Sequence, residues 1–125
     1  MAVALSRGMS NEKIVTFRDL EVWQRSMDLI DLVLPALKQI PSTEFDLRRQ
    51  MFRAVTSIAF NVAEGYRRKK KRGAYQNHIS IALGSQGELD TEVEVCARHA
   101  LMKRETCEQI AGLNDRVGAM LFRLH

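Results

Sequence analysis

An all-α fold, arranged as an antiparallel up-down-up-down four-helix bundle, is predicted by three observations. Apolar residues recur at three- and four-residue spacing over four separate stretches. The β-branched, alternating runs that mark strands are missing. With two Pro and seven Gly in 125 residues, little interrupts long helices, and the breaks that occur leave only short turns between the stretches. The length suits one domain, with residues 1–16 expected as a frayed arm and 17–125 as the bundle.

The first helix is expected to start near Asp19 as N-cap. Its apolar line is Leu20, Trp23, Met27, Ile30, Leu34 and Leu37, a heptad seam. Pro35 predicts a kink or an early end, since an interior proline removes one hydrogen bond and clashes with the preceding turn. Pro41, Ser42 and Thr43 then close the first hairpin, with Thr43 as cap of the second helix and Glu44 and Asp46 in its first turn.

The second helix is the element around which the chain is organised. Ala54, Ile58 and Val62 form one apolar line, and Val55, Ala59, Val62 and Tyr66 another. A helix apolar on two sides must be covered on two sides, by its own bundle or by another subunit. Gly65 is the expected stop. After a turn ending at Gly73, the third helix carries Tyr75, Ile79, Ala82, Gln86, Leu89, Val93, Cys96 and Ala100, with Lys103 and Arg104 suited to its carboxyl end. Gly84 and Gly87 inside it predict a close neighbour on that face. Thr106 with Gln109 reads as a capping box for the fourth helix, whose line is Ile110, Leu113, Val117, Met120, Leu121 and Leu124.

Charge is distributed unevenly. Arg67, Arg68, Lys69, Lys70, Lys71 and Arg72 are consecutive. They account for the formal net charge of +4, because the remainder has 13 Lys and Arg (19 less these six) against 15 Asp and Glu. Glu88, Asp90, Glu92 and Glu94 give the third helix an acidic middle. Between the apolar lines of the second helix runs a polar strip of Arg53, Ser57, Asn61 and Glu64. If the second and third helices are antiparallel about a turn near residue 70, facing residues have numbers summing to about 140. Arg53 should then face Glu88 and Arg49 lie near Glu92, with an Arg53–Glu88 coupling of order 1 kcal/mol. Ser85 completes this structural polar network.

The segments RRQMFRAVTSIAFNVAEG and ISIALGSQGEL, preceded by FRDLEVWQ, resemble the bacterial four-helix-bundle family that includes proteins encoded by intervening sequences in 23S ribosomal RNA genes. The resemblance runs from Phe17 to about Leu124. The chain departs from the family pattern at Pro35, and in placing six cations where a glycine- and serine-containing turn is expected. The resemblance implies a ring-like homopentamer without enzymatic activity. It also extends to accessory proteins of diversity-generating retroelements, which look like basic bundles that bind nucleic acid and a reverse transcriptase.

The function classes narrow accordingly. No Glu-x-x-His pair, HExxH or P-loop occurs, and His78, His99 and His125 form no visible triad, so no enzyme and no cofactor are expected. Cys96 and Cys107 lack zinc spacing beyond a lone Cys96–His99 CxxH pair, so reduced core thiols are expected and no metal. No apolar run approaches a membrane span, and Met1 to Leu5 is too short for a signal peptide, which points to a cytoplasmic protein without a membrane partner. The leading expectation is contact between the Arg67–Arg72 turn and an RNA or DNA backbone. The alternative is a protein-interaction scaffold without nucleic-acid binding.

Overall fold

A computed structural model describes residues 13–125. Most of the expected N-terminal arm, residues 1–12, lies outside the described residues. Four α-helices follow one another: α1 (Glu21–Ala36), α2 (Phe45–Arg67), α3 (Ala74–Arg98) and α4 (Arg104–Leu124). No strand occurs among the described residues, and no helix there is long and apolar enough to cross a membrane. The principal packing pairs are α1 with α2 and α4, and α3 with α2 and α4, the most extensive being α2 with α3. The result is the expected four-cornered antiparallel bundle.

Val15 and Thr16, at the end of that arm, are hydrogen-bonded to the turn that follows. Thr16 caps a 3-10 turn at Phe17–Asp19. Its hydroxyl accepts from the Arg18 N–H at 3.1 Å, while the Asp19 carboxylate accepts from the Val15 and Thr16 N–H groups at 2.8 and 3.0 Å. Asp19 is therefore the returning member of a capping box and not the N-cap of the long helix. These backbone donors hold its carboxyl below the usual range.

The core side of α1 is also not the expected one. Val22, Ser26, Leu29, Val33 and Ala36 are the buried residues at heptad spacing, continued by Ile40. Leu20, Trp23, Ile30, Leu34 and Leu37 pack against this core only half-buried. Ser26 disguises the true seam, and it can sit there because its hydroxyl donates to the Val22 carbonyl at 2.7 Å within the same helix. Pro35 acts as expected: α1 ends one residue later and tightens into a 3-10 turn at Leu37–Gln39. Thr43 does not cap α2. It lies in a further 3-10 turn, Ser42–Glu44, and the hairpin is fastened by the Arg48 guanidinium donating to the Ile40 carbonyl.

Both apolar lines of α2 are covered inside the chain. Ala54, Val55, Ile58, Ala59 and Val62 are all buried within this one bundle, so these lines do not themselves call for a second subunit. Gly65 does not stop the helix, which continues to Arg67. Its function is proximity, because a Cβ there would stand 3.0 Å from the His78 Cβ of α3. Gly84 and Gly87 show the opposite: among the described residues, nothing beyond the glycine's own helix backbone and chain neighbours comes within 4 Å of a Cβ at either position. The close-packed glycine of the α3–α4 contact is Gly118, set against the Gln86 side chain.

The α3–α4 connection departs from expectation as well. Ala100 adopts a positive φ of 54° and the Leu101 N–H reaches back to the Cys96 carbonyl at 2.9 Å, a Schellman-type closure. Ala100 is thus outside α3, and Lys103 and Arg104 open α4 instead of closing α3. The expected Thr106–Gln109 box is replaced by a tertiary cap. Gln39 accepts from the Lys103 N–H at 2.8 Å through Oε1 and donates to the Thr106 hydroxyl at 3.1 Å through Nε2.

Candidate functional site

The bundle end formed by the start of α1, the α2–α3 turn and the close of α4 concentrates positive charge. Arg67, Arg68, Lys69, Lys70, Lys71 and Arg72 are all exposed, and among the described residues none of them forms an ion pair. Local hydrogen bonds shape the turn: Arg68 N–H to the Glu64 carbonyl at 3.1 Å, Lys71 N–H to Arg68 at 2.9 Å and Ala74 N–H to Lys71 at 3.1 Å. Gly73, at φ 78°, supplies the left-handed residue that starts α3. Two cations are tethered. Lys69 Nζ stands 3.9 Å over the Tyr66 ring, and Arg68 Nη1 lies 3.2 Å from His78 Nε2.

From this end a hydrogen-bonded seam runs between α2 and α3. Asn61 Nδ2 donates to the Ser57 carbonyl at 2.9 Å and to its hydroxyl at 3.1 Å, leaving Oδ1 to face His78 Nδ1 at 2.9 Å. Since that oxygen only accepts, the Nδ1 nitrogen carries the proton, and Nε2 accepts from Arg68. Ser85 Oγ donates to Ser57 Oγ at 2.8 Å across the helix pair. His78 is thereby a central member of a chain from Arg68 to Ser85. Pattern reading missed it, although its number lies in register with Asn61.

Farther from the turn the strip opens. Arg53 and Glu88 line one groove of about 400 Å³ with Ser57, Asn61, Ser85 and Phe60, but they do not close to an ion pair. Arg49 does not reach Glu92; it is paired with Asp46 at 3.1 Å and its side chain is 71% exposed. Glu64 also faces solvent. Helical precession is the cause, because a row of every fourth residue rotates by about 40° per step. The row that meets α3 at Asn61 has turned outward by Arg49. In double-mutant cycles read by urea unfolding, Ser57→Ala with Ser85→Ala should show coupling of about 0.5–1.5 kcal/mol. Arg53→Ala with Glu88→Ala should show less than about 0.5 kcal/mol.

Glu92 is the unusual member. It is 6% exposed, and neither carboxyl oxygen has a hydrogen-bond partner among the described residues. Burial, reinforced by the Glu88 charge and partly offset by Arg53, pushes its pKa up to about 7. Cys96 and Cys107 are free, buried thiols. The Cys96 thiol approaches Met51 Sδ at 3.9 Å, and burial raises its pKa to about 11. Among the described residues no group of three or more His, Cys, Asp or Glu is placed to hold a metal ion.

The sequence pattern of one known family, described as 23S rRNA-intervening sequence protein, matches residues 18–123. This chain belongs to that family. The match takes in all four helices of the bundle. A crystal structure of a protein with unknown function from the S23 ribosomal protein family, from Bacteroides thetaiotaomicron VPI-5482, superimposes with a TM-score of 0.76 at 24% identity. That match covers 82% of this chain and 96% of the other, and it shows that the bundle fold is shared. No curated protein matches the chain.

Proposed function

We propose that this member of the 23S rRNA-intervening sequence protein family is a non-enzymatic, oligomeric bundle that binds the phosphate backbone of RNA or DNA through Arg67–Arg72 and uses no cofactor. The observation that carries the reading is the exposure of six adjacent cations on one bundle end, without ion pairs among the described residues, in a chain that is otherwise net acidic. Such a turn neutralises phosphates and releases their counterions. With three to five contacts to a single strand, the log-log dependence of affinity on salt has a slope of about −2 to −3.5. Binding then weakens about 15- to 130-fold between 50 and 200 mM salt. Fluorescence anisotropy with labelled RNA and DNA strands tests this directly. Replacing all six residues by glutamine should abolish the salt-sensitive binding while leaving circular dichroism and oligomer mass unchanged. Wild-type protein without salt-sensitive binding, or a glutamine variant that binds as tightly, would reduce the turn to a solvated loop.

One observation favours the second reading, a protein-interaction scaffold. Phe45, Phe52 and Phe60 lie on the outward side of α2 at 60%, 46% and 67% exposure, so that helix is apolar beyond its two buried lines. Large exposed aromatics along one helix mark a contact surface, and self-association covers them in the same step that would multiply the basic turns around a ring. Light scattering decides the oligomeric part of the reading. A mass of several subunits is expected, five by family resemblance, and a monomer mass at micromolar concentration overturns it.

A further inference from the structure

Beside the basic turn lies a cleft of about 290 Å³, lined by Val15, Thr16, Phe17, Arg18, Tyr66 and Arg67. This is just under the range of about 300–1,000 Å³ typical of small-ligand pockets. It joins two segments far apart in the chain, the capped turn before α1 and the last turn of α2. Its walls are ordered by specific bonds. The Thr16–Asp19 capping box fixes the turn, and the buried Gln24 side chain donates to the Arg18 carbonyl at 2.9 Å. Each wall also carries an aromatic ring with a cation at its face: Arg18 is 4.7 Å from the Phe17 ring centroid, and Lys69 is 3.9 Å from that of Tyr66.

Resting on the phosphate-binding reading of the adjacent turn, we propose that this cleft receives an unpaired base, so that the ligand class is single-stranded nucleic acid. Every base offers a π-face to stack on, and Phe17 and Tyr66 are the aromatic side chains that line the cleft. On entry of the base, Arg18 and Lys69 leave these ring faces for the flanking phosphates, and Arg67 lines the same cleft. Duplex DNA and RNA keep their bases stacked internally and cannot fill the cleft. Backbone attraction from Arg68–Arg72 and base capture by Phe17 and Tyr66 are separate contributions, and only the first depends strongly on salt.

The chain carries one tryptophan, and that residue, Trp23, packs on Phe17 with ring centroids 5.3 Å apart. Its fluorescence therefore reports on the cleft. The test titrates the full chain with short oligo(dT), with an abasic strand of equal length and with a duplex of equal length. Oligo(dT) should bind about 5- to 150-fold more tightly than the abasic strand, the effect of stacking one base, and it alone should quench Trp23. Tyr66→Leu and Phe17→Leu should each erase that preference while keeping the salt slope. The quenching contrast in unaltered protein stands whether or not these variants fold. Equal, salt-sensitive binding of the dT and abasic strands overturns the cleft and leaves the phosphate-binding reading intact. Absence of binding by every strand overturns both.

Discussion

Replacing Glu92 by glutamine is expected to stabilise the protein by about 1–3 kcal/mol above roughly pH 8, with the gain disappearing on acidification. The wild-type carboxyl is buried without a hydrogen-bond donor among the described residues, and burial raises its pKa to about 7 from an ordinary 4.5. Between those values the folded state holds a proton that the unfolded chain has already released. Wild-type stability from this group is therefore fully present below pH 4.5 and is lost as pH rises through about 7. Glutamine keeps the shape and carries no charge, so its stability does not follow that curve. Urea unfolding of both proteins across this range gives the answer. A difference that stays constant with pH, or a variant less stable in alkaline solution, would mean that Glu92 is satisfied in the folded protein.

Leu29→Ala is expected to be the most damaging of the substitutions considered, at about 3–5 kcal/mol, whereas its neighbour Ile30→Ala should cost about 1 kcal/mol. Leu29 is fully buried on the core line of α1, within the cluster of buried apolar residues, and truncation there loses transfer free energy and leaves a cavity. Ile30 is half-buried on the flanking line, where water and neighbouring side chains can close over a smaller residue. Urea unfolding of the two single variants measures the contrast. Equal costs, or a larger cost at Ile30, would restore the Leu20–Leu37 line as the core seam.

That contrast also shows how far pattern reading reaches. Helix periodicity is a local property, and it placed four helices and the basic turn between the second and third. Choosing between two heptad lines on one helix is not a local matter. Trp23, Met27, Ile30 and Leu34 look more apolar than a line that includes Ser26, yet Ser26 satisfies its own hydroxyl within α1 and is buried. Stop signals misled for a related reason. Gly65 resembles a helix end, but the proximity of α3 at His78 is what it serves. Thr106 resembles a cap, but Gln39, distant in sequence, does the capping.

For the candidate site, the sequence by itself determined the composition of the basic turn and its place between helices, because consecutive cations after a helical run and before a glycine have few other arrangements. Only the tertiary structure decided which groups join it. His78 bonds Arg68 and Asn61 because α2 and α3 approach closely at Gly65. Phe17 and Arg18 border Tyr66 and Arg67 because an antiparallel bundle returns the end of α2 to the beginning of α1. Arg49 and Glu64 leave the polar strip because a straight row in sequence winds around a helix of 3.6 residues per turn. Side-chain type is written locally, whereas the partner of a side chain is set by which surfaces the whole bundle brings together.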